Sequence, residues 1–178
     1  PGCSINNPTL TEADLKNLAV AKQYKVTDVM LPFVRNKADL IILREALKEN
    51  NCEDIRIFAK IENMTGVEHL EELIPYCDYI VIARGDLGNA MPLSKLPRVQ
   101  AHIAQVCREH KKDFMVVTQM LDSMIRNPYP TRAEVNDIYH AVTQGAKALM
   151  LTGETAHGKY PVEAMKMLVD TAKESKNI

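Results

Sequence analysis

The sequence predicts an α/β fold with parallel strands, and two observations carry that prediction. Short apolar runs alternate with longer stretches of helical spacing, and the alternation occurs five times along the 178 residues. The units recur about every thirty residues, a typical length for a strand, helix and strand in succession. Because each intervening helix returns the chain to the same end of the sheet, the strands are expected to be parallel.

The elements follow from the spacing of the apolar residues. After a loop over residues 1–10, Thr11 is expected to cap an opening helix. The five predicted strands are Asp28–Phe33, Ile55–Ile61, Tyr79–Ala83, Phe114–Thr118 and Ala148–Leu151. The five predicted crossover helices are Lys37–Glu49, Gly66–Ile74, Lys95–His110, Arg132–Gln144 and Pro161–Glu174.

Two α/β architectures fit this alternation, an open doubly wound sheet and a (β/α)8 barrel. No strand is followed by the Gly-x-Gly-x-x-Gly sequence that marks dinucleotide-binding open sheets, which favours the barrel. Five strands are too few to close an eight-stranded barrel. The prediction is therefore a partial (β/α)8 TIM barrel of five parallel strands that alternate with helices.

The amino-acid composition indicates which kinds of binding partner to expect. Twenty-two Lys and Arg residues face 23 Asp and Glu residues, and the net charge of -1 argues against nucleic acid and against an anionic membrane. The chain lacks a signal-peptide pattern and any apolar run of about 18 residues, so no membrane contact is expected. Four widely spaced cysteines argue against zinc and disulfides and favour a cytoplasmic location. Small-molecule partners are the expectation.

Polar residues at the predicted strand ends suggest where chemistry occurs, since active sites of parallel α/β folds lie there. Lys60 and Glu62 share one side of the second strand because side chains alternate, although such a pair is also common as a structural ion pair. Asp86 follows the third strand between Gly85 and Gly88. That segment is either a turn or a place where backbone N–H groups approach an anion.

Glu62 and Asp86 would supply two carboxylates from neighbouring strands. Mg2+ typically takes one or two protein carboxylates and leaves its other positions to substrate and water, so the pair suits a magnesium site beside Lys60. Thr118 ends the fourth strand, where its hydroxyl either satisfies the backbone or contacts a ligand. Polar groups at several successive strand ends together imply a negatively charged substrate.

Five segments taken together resemble the pyruvate kinase family, and the resemblance runs nearly end to end. They are Ile57–Asn63, Ala83–Gly88, Thr118–Met124, Pro130–Glu134 and Gly153–Pro161. The resemblance implies phosphoryl transfer from phosphoenolpyruvate to ADP, which gives pyruvate and ATP in glycolysis. It also implies Mg2+ (or Mn2+) and K+ as cofactors, and a homo-oligomer in which the Pro130–Glu134 segment lies at a subunit contact.

The resemblance assigns roles to five residues. Lys60 looks like the cation that stabilises the transferring phosphoryl group and the enolate oxygen, and Glu62 and Asp86 look like the magnesium ligands. The backbone N–H groups of Gly85 and Asp86 would bind the substrate carboxylate. Thr118 would lie near the enolate carbon and assist its protonation. Phosphoryl transfer of this kind depends on positioning and electrostatic stabilisation.

The resemblance also implies that the first three barrel strands, the lid domain and the C-terminal domain lie outside residues 1–178. The family's potassium ligands belong to those missing strands, so the 178-residue chain alone is expected to show no meaningful turnover. Pro32, Thr65 and Ala90 depart from the residues usual in the family. Two alternatives stay open: a non-catalytic, diverged or split module for metabolite binding or subunit interaction, and a metal-dependent lyase acting on phosphoenolpyruvate or pyruvate.

Overall fold

A computed structural model describes residues 7–176, so the predicted opening loop is described only from residue 7. The strands are β1 Asp28–Leu31, β2 Arg56–Ile61, β3 Tyr79–Ala83, β4 Asp113–Val117 and β5 Ala148–Met150. The helices are α1 Glu12–Ala21, α2 Lys37–Glu49, α3 Met64–Glu68, α4 Leu70–Leu73, α5 Arg84–Asn89, α6 Leu96–Glu109, α7 Arg132–Thr143, α8 Gly153–Ala156 and α9 Pro161–Glu174. Short 3-10 turns cover Ile74–Tyr76, Leu93–Lys95 and Asp122–Ile125. Between residues 7 and 176, no helix combines the length and apolarity needed to cross a bilayer.

The order of the strands separates the two predicted architectures. All neighbouring pairs are parallel, and the sheet runs β1-β2-β3-β4-β5 in sequence order. Because crossovers between parallel strands are right-handed, a sheet that always advances in one direction carries its helices on one face. A doubly wound sheet reverses direction at a switch point, and the strands described between residues 7 and 176 contain no reversal. The topology is that of five successive barrel strands.

The two faces of the sheet carry separate apolar clusters. The larger cluster fills the space between sheet and helices and includes fully buried Ile57 and Ile80. Burying each such side chain stabilises the fold by about 1.5–3 kcal/mol. A smaller cluster on the other face contains Val81 and Val117 and packs against Phe58. This second face, which is turned away from the helices, is the inner face of the sheet. Because side chains alternate along β2, Lys60 lies on the inner face together with Phe58.

Several predicted boundaries shift for reasons visible in the backbone. Strand β1 ends at Leu31, two residues early, since Pro32 has no N–H and Phe33 adopts a left-handed φ of 53°. The predicted helix over 66–74 is broken at His69, whose φ of -98° and ψ of 11° leave the helical region. The glycine-rich segment after β3 is the helix α5 and not a turn.

Capping boxes begin helices α1 and α7, of which only the cap at Thr11 was predicted. Thr11 caps α1 as predicted and forms a capping box with Asp14. Thr131 forms the same arrangement at α7, where the Glu134 carboxylate accepts a hydrogen bond of 2.7 Å from the Thr131 N–H. Glu134 also accepts bonds from the N–H and hydroxyl of Ser123, at 2.7 and 2.6 Å. One carboxylate therefore joins the start of α7 to the turn that follows β4.

Replacing Glu134 with glutamine should give a stability loss that depends on pH. Burial acts to raise the pKa of Glu134, but hydrogen bonds from Ser123 and Thr131 outweigh it and hold the pKa below its ordinary value of 4.5. The native state therefore gains stability above the unfolded pKa and loses it as pH falls through the folded one. Thermal unfolding of the complete protein should show a gap between wild type and Glu134→Gln at pH 7 that narrows below about pH 4.5.

The control for that series is Glu53→Gln, which alters an exposed carboxylate. It should leave the melting temperature nearly unchanged across the same pH range. A Glu134→Gln gap that stays constant down to pH 3 would contradict the assigned role of the carboxylate.

Position 66 requires glycine because the backbone of Val34 lies too close to leave room for a side chain. A Cβ built there would lie 2.6 Å from the backbone oxygen of Val34, which cannot move aside as a side chain can. We expect Gly66→Ala to destabilise the complete protein by about 1–3 kcal/mol. The matched change Gly88→Ala, where the nearest atoms lie 3.5 Å away, should be neutral or stabilise α5 by about 0.5–1 kcal/mol. Chemical denaturation measures both, and equal effects of the two substitutions would refute the explanation.

Candidate active site

Three adjacent strands bring the predicted residues to one rim of the sheet. Lys60 pairs with Val81 in register, and Ala83 pairs with Val117. The chain therefore leaves β2, β3 and β4 at neighbouring points, and the next residues lie at the C-terminal edge of the sheet. In parallel α/β folds this edge is where active sites are built.

Lys60 and Glu62 form an ion pair at this rim. The Lys60 Nζ lies 2.8 Å from Glu62 Oε1, and the Glu62 side chain is only 2% exposed while Lys60 is 24% exposed. The other carboxylate oxygen, Oε2, accepts a hydrogen bond of 2.8 Å from the backbone N–H of Phe33. A buried carboxylate is costly without such partners. Glu62 thereby connects the ends of β1 and β2.

The ion pair retains free bonding capacity. Each carboxylate oxygen has two lone pairs, so both oxygens of Glu62 can accept another ligand. The Lys60 ammonium has two further protons and a flexible stem that lets it turn toward a neighbouring group. A purely structural ion pair and a ligand-binding pair share this geometry, and the surroundings of the pair distinguish them.

Helix α5 starts directly after β3, so Gly85 and Asp86 lie in its first turn. The N–H groups of a first helical turn have no partner within the helix. Ala83 occupies the N-cap position, and its methyl side chain cannot accept a hydrogen bond from them. The Asp86 carboxylate is exposed at the same rim and belongs to none of the five ion pairs found in residues 7–176.

Thr118 packs directly against this first turn. A Cβ placed on Gly85 would lie 3.0 Å from Thr118 Cγ2 and 3.7 Å from its hydroxyl oxygen. Any larger residue at position 85 would therefore displace the threonine. The absence of a side chain at Gly85 therefore leaves the space that the Thr118 side chain occupies.

The backbone at Thr118 is strained. Thr118 has a φ of 80° and Gln119 a φ of 54°, two consecutive non-glycine residues in the left-handed region. Such a conformation costs about 1–3 kcal/mol per residue and persists only where the surroundings enforce it. Thr118 is the more unusual because β-branched residues rarely adopt positive φ. The strain lies at the rim and not in the core.

Arg84 helps to hold Thr118 and Gln119 in this conformation, a role that the sequence analysis did not predict. Its Nε and Nη2 donate to the Thr118 carbonyl at 3.2 and 2.8 Å, and Nη2 also reaches the Gln119 carbonyl at 3.4 Å. Its Nη1 pairs with Asp137 at 2.7 Å. The sequence does place an arginine directly after an apolar strand, which could have indicated a role for it. The glycines and aspartate that follow were considered instead.

Glu154 supports the same loop from the other side. Its carboxylate is buried, and Oε1 accepts a hydrogen bond of 3.0 Å from the backbone N–H of Leu121. Its Oε2 accepts a hydrogen bond of 2.8 Å from the backbone N–H of Thr152. The polar segment after β5 thus contributes an internal brace between strand ends, where the sequence suggested a polar rim.

The candidate metal ligands remain Glu62 and Asp86. Among residues 7–176 no group of three or more His, Cys, Asp or Glu side chains converges to hold a metal by itself. Two carboxylates from successive strand ends fit a cation that draws its other ligands from substrate and water. Thiolate chemistry is disfavoured at Cys77 and Cys107, since burial raises the pKa of Cys77 to about 11 and that of Cys107 to about 12.

Sequential parallel strands with an ammonium, carboxylates and helical N–H groups at one rim define the class: an α/β-barrel domain with a candidate anion site. Comparison with known families makes the assignment specific, because the model described as "Pyruvate kinase, barrel domain" matches residues 1–165. The chain belongs to the pyruvate kinase family.

Curated relatives agree with that assignment. A pyruvate kinase of Clostridium acetobutylicum is 41% identical over 177 residues, which cover 99% of this chain and 37% of that protein. The pyruvate kinase of Bacillus licheniformis is 42% identical and aligns with 98% of this chain and 30% of its own length. That of Mycobacterium tuberculosis is also 42% identical, over 94% of this chain and 35% of its own. The chain thus spans about a third of the relatives it matches.

Proposed function

We propose that this chain supplies part of a pyruvate kinase active site, which transfers the phosphoryl group of phosphoenolpyruvate to ADP and yields pyruvate and ATP. The observation that carries the proposal is the Lys60–Glu62 ion pair on the inner face, at the same rim as the Gly85–Thr118 contact. We further propose that the missing barrel strands, the lid domain and the K+ ligands come from the rest of the complete protein. The relatives' greater length supports this.

The donor set fits a hard divalent cation. Glu62 and Asp86 would hold Mg2+ or Mn2+, since both offer carboxylate oxygens with free lone pairs at neighbouring strand ends. When bound, the cation would neutralise charge on the phosphoryl and enolate oxygens. Phe33 supports this use of Glu62, because its N–H keeps Oε2 oriented although the preceding Pro32 departs from the family's usual residue.

Lys60 would provide the mobile positive charge. In the structure its ammonium lies against Glu62 Oε1. With its long stem it can turn toward the phosphoryl oxygens as the bond between phosphorus and the enolate oxygen breaks. Charge placed where negative charge develops lowers the barrier without a covalent step by the protein.

The first turn of α5 and Thr118 would orient the rest of the substrate. The N–H groups of Gly85 and Asp86 are free of helical partners and carry partial positive charge, which suits the carboxylate of phosphoenolpyruvate. The Thr118 side chain packs against Gly85, most closely through its methyl group, and its hydroxyl would lie beside the enolate carbon. It would help deliver the proton that this carbon gains as the enolate becomes pyruvate.

The family assignment also suggests a location, a pathway and an oligomeric state for the complete protein. We propose a cytoplasmic, glycolytic enzyme that assembles as a homo-oligomer through the surface around Pro130–Glu134. Tyr129, which precedes this segment, is 76% exposed and would gain burial at a subunit contact.

Substituting Lys60 tests the assignment directly. In the complete protein, with Mg2+, K+, phosphoenolpyruvate and ADP, Lys60→Met should lower kcat by roughly 100-fold or more, on the scale of a lost electrostatic group. Pyruvate release is measured by coupling to lactate dehydrogenase. The control Lys16→Met removes an exposed lysine of α1 and should retain the wild-type rate.

Equal rates for Lys60→Met and wild type would contradict the proposal. A wild-type protein that lacks turnover altogether would favour the non-catalytic alternative, in which the chain binds metabolites or other subunits. The departures Pro32 and Ala90 are the sequence features that favour that second candidate.

A further inference from the structure

Arg84 uses its whole guanidinium inside the protein. The side chain is only 11% exposed, and it points toward the residues that follow β4. Nε and Nη2 converge on the Thr118 carbonyl, while Nη1 meets the Asp137 carboxylate on α7. A planar guanidinium presents its donors in a rigid fork, so two bonds to one oxygen fix its orientation as well as its distance.

These bonds fall on two consecutive residues whose backbone is left-handed. Thr118 and Gln119 are the consecutive left-handed pair, and both of their carbonyls accept from Arg84. Fixing a carbonyl fixes the peptide plane, which in turn sets the direction of the attached side chain. Because Arg84 and Gly85 are sequence neighbours, the same segment meets Thr118 twice. The Arg84 side chain donates to the Thr118 carbonyl, and Gly85 leaves the space that the Thr118 side chain occupies.

We propose that Arg84 is a positioning residue for the reaction. It would hold the Thr118 side chain, and with it the direction of the hydroxyl, against the first turn of α5, with Asp137 orienting the guanidinium. The inference rests on the proposed function, because that function places Thr118 beside the substrate. Arg84 would not touch the substrate, and its effect would pass through Thr118. A purely structural ion pair between α5 and α7 is the competing explanation.

The test uses Arg84→Lys in the complete protein. Lysine keeps the positive charge beside Asp137 but cannot direct two nitrogens at the Thr118 carbonyl. We expect kcat to fall by roughly tenfold or more while KM for ADP stays within about twofold. Arg44→Lys is the matched control, since Arg44 also bonds a carbonyl, that of Ile55, and pairs with Asp78 at the opposite ends of the strands. It should keep wild-type kinetics.

A double-mutant cycle separates positioning from general structural support. If Arg84 acts through Thr118, Arg84→Lys should lower kcat by less than about threefold when Thr118 is already alanine. The same tenfold loss in both backgrounds would overturn the proposal, since the two residues would then act independently.

A crystal structure of Arg84→Lys provides a readout that needs no activity. We expect Thr118 to leave the left-handed region or its side chain to move away from Gly85. An unchanged Thr118 would overturn the proposal whatever the kinetics show.

If Arg84→Lys does not fold, Asp137→Asn replaces it in the crystallographic test. The same displacement of Thr118 is expected, and an unchanged Thr118 would again overturn the proposal. Absence of turnover in the wild type would instead refute the proposed function, while the crystal structure would still show whether Arg84 positions Thr118.

Discussion

The candidate site depends on one buried carboxylate. Glu62 is almost fully shielded from water, yet it lies at the open rim of the sheet, where β2 ends. Its charge is stabilised by the Lys60 ammonium on one oxygen and by the Phe33 N–H on the other. Removing either partner would leave a buried charge only partly compensated, which proteins tolerate poorly. The ends of β1 and β2 and the direction of Lys60 are therefore linked through a single side chain.

The rim carries three unfavourable backbone conformations, while Lys25, Asn51 and Lys111 have positive φ after helices. Phe33, Thr118 and Gln119 all have positive φ, and all three follow strands at the edge that carries the candidate site. Each is compensated by a specific polar contact: Glu62 accepts from Phe33, and Arg84 donates to the other two carbonyls. Strain of this kind is often stored at functional sites, where it fixes side chains in directions that a relaxed backbone would not allow. The core beneath is apolar and regular.

The sequence was sufficient for features that depend on local periodicity. The five strands, most of the helices and the shared face of Lys60 and Glu62 follow from side-chain alternation and apolar spacing, and the sequential strand order agrees with the predicted barrel. Helix α5 was predicted less well, because two glycines in six residues lower helix propensity by about 1 kcal/mol each and read as a turn.

Features that depend on distant partners were not predictable. The left-handed Thr118 runs against its intrinsic preference, and its carbonyl partner Arg84 lies 34 residues earlier in the chain. Glu154 accepts from a backbone N–H 33 residues away, so its bracing role has no local sequence pattern. Both contacts arise only because parallel strands place their C-terminal ends side by side.

We propose that Glu62 and Asp86 form one cation site with the Lys60 ammonium beside it. A crystal structure of the complete protein with Mn2+ and phosphoenolpyruvate, with the metal located by its anomalous scattering, tests that claim most directly. We expect a single Mn2+ peak within bonding distance of both carboxylates, about 2.0–2.3 Å, and a Lys60 ammonium turned from Glu62 toward the phosphoryl oxygens. An Mn2+ ion bound elsewhere, with the Lys60–Glu62 ion pair intact beside the substrate, would contradict it.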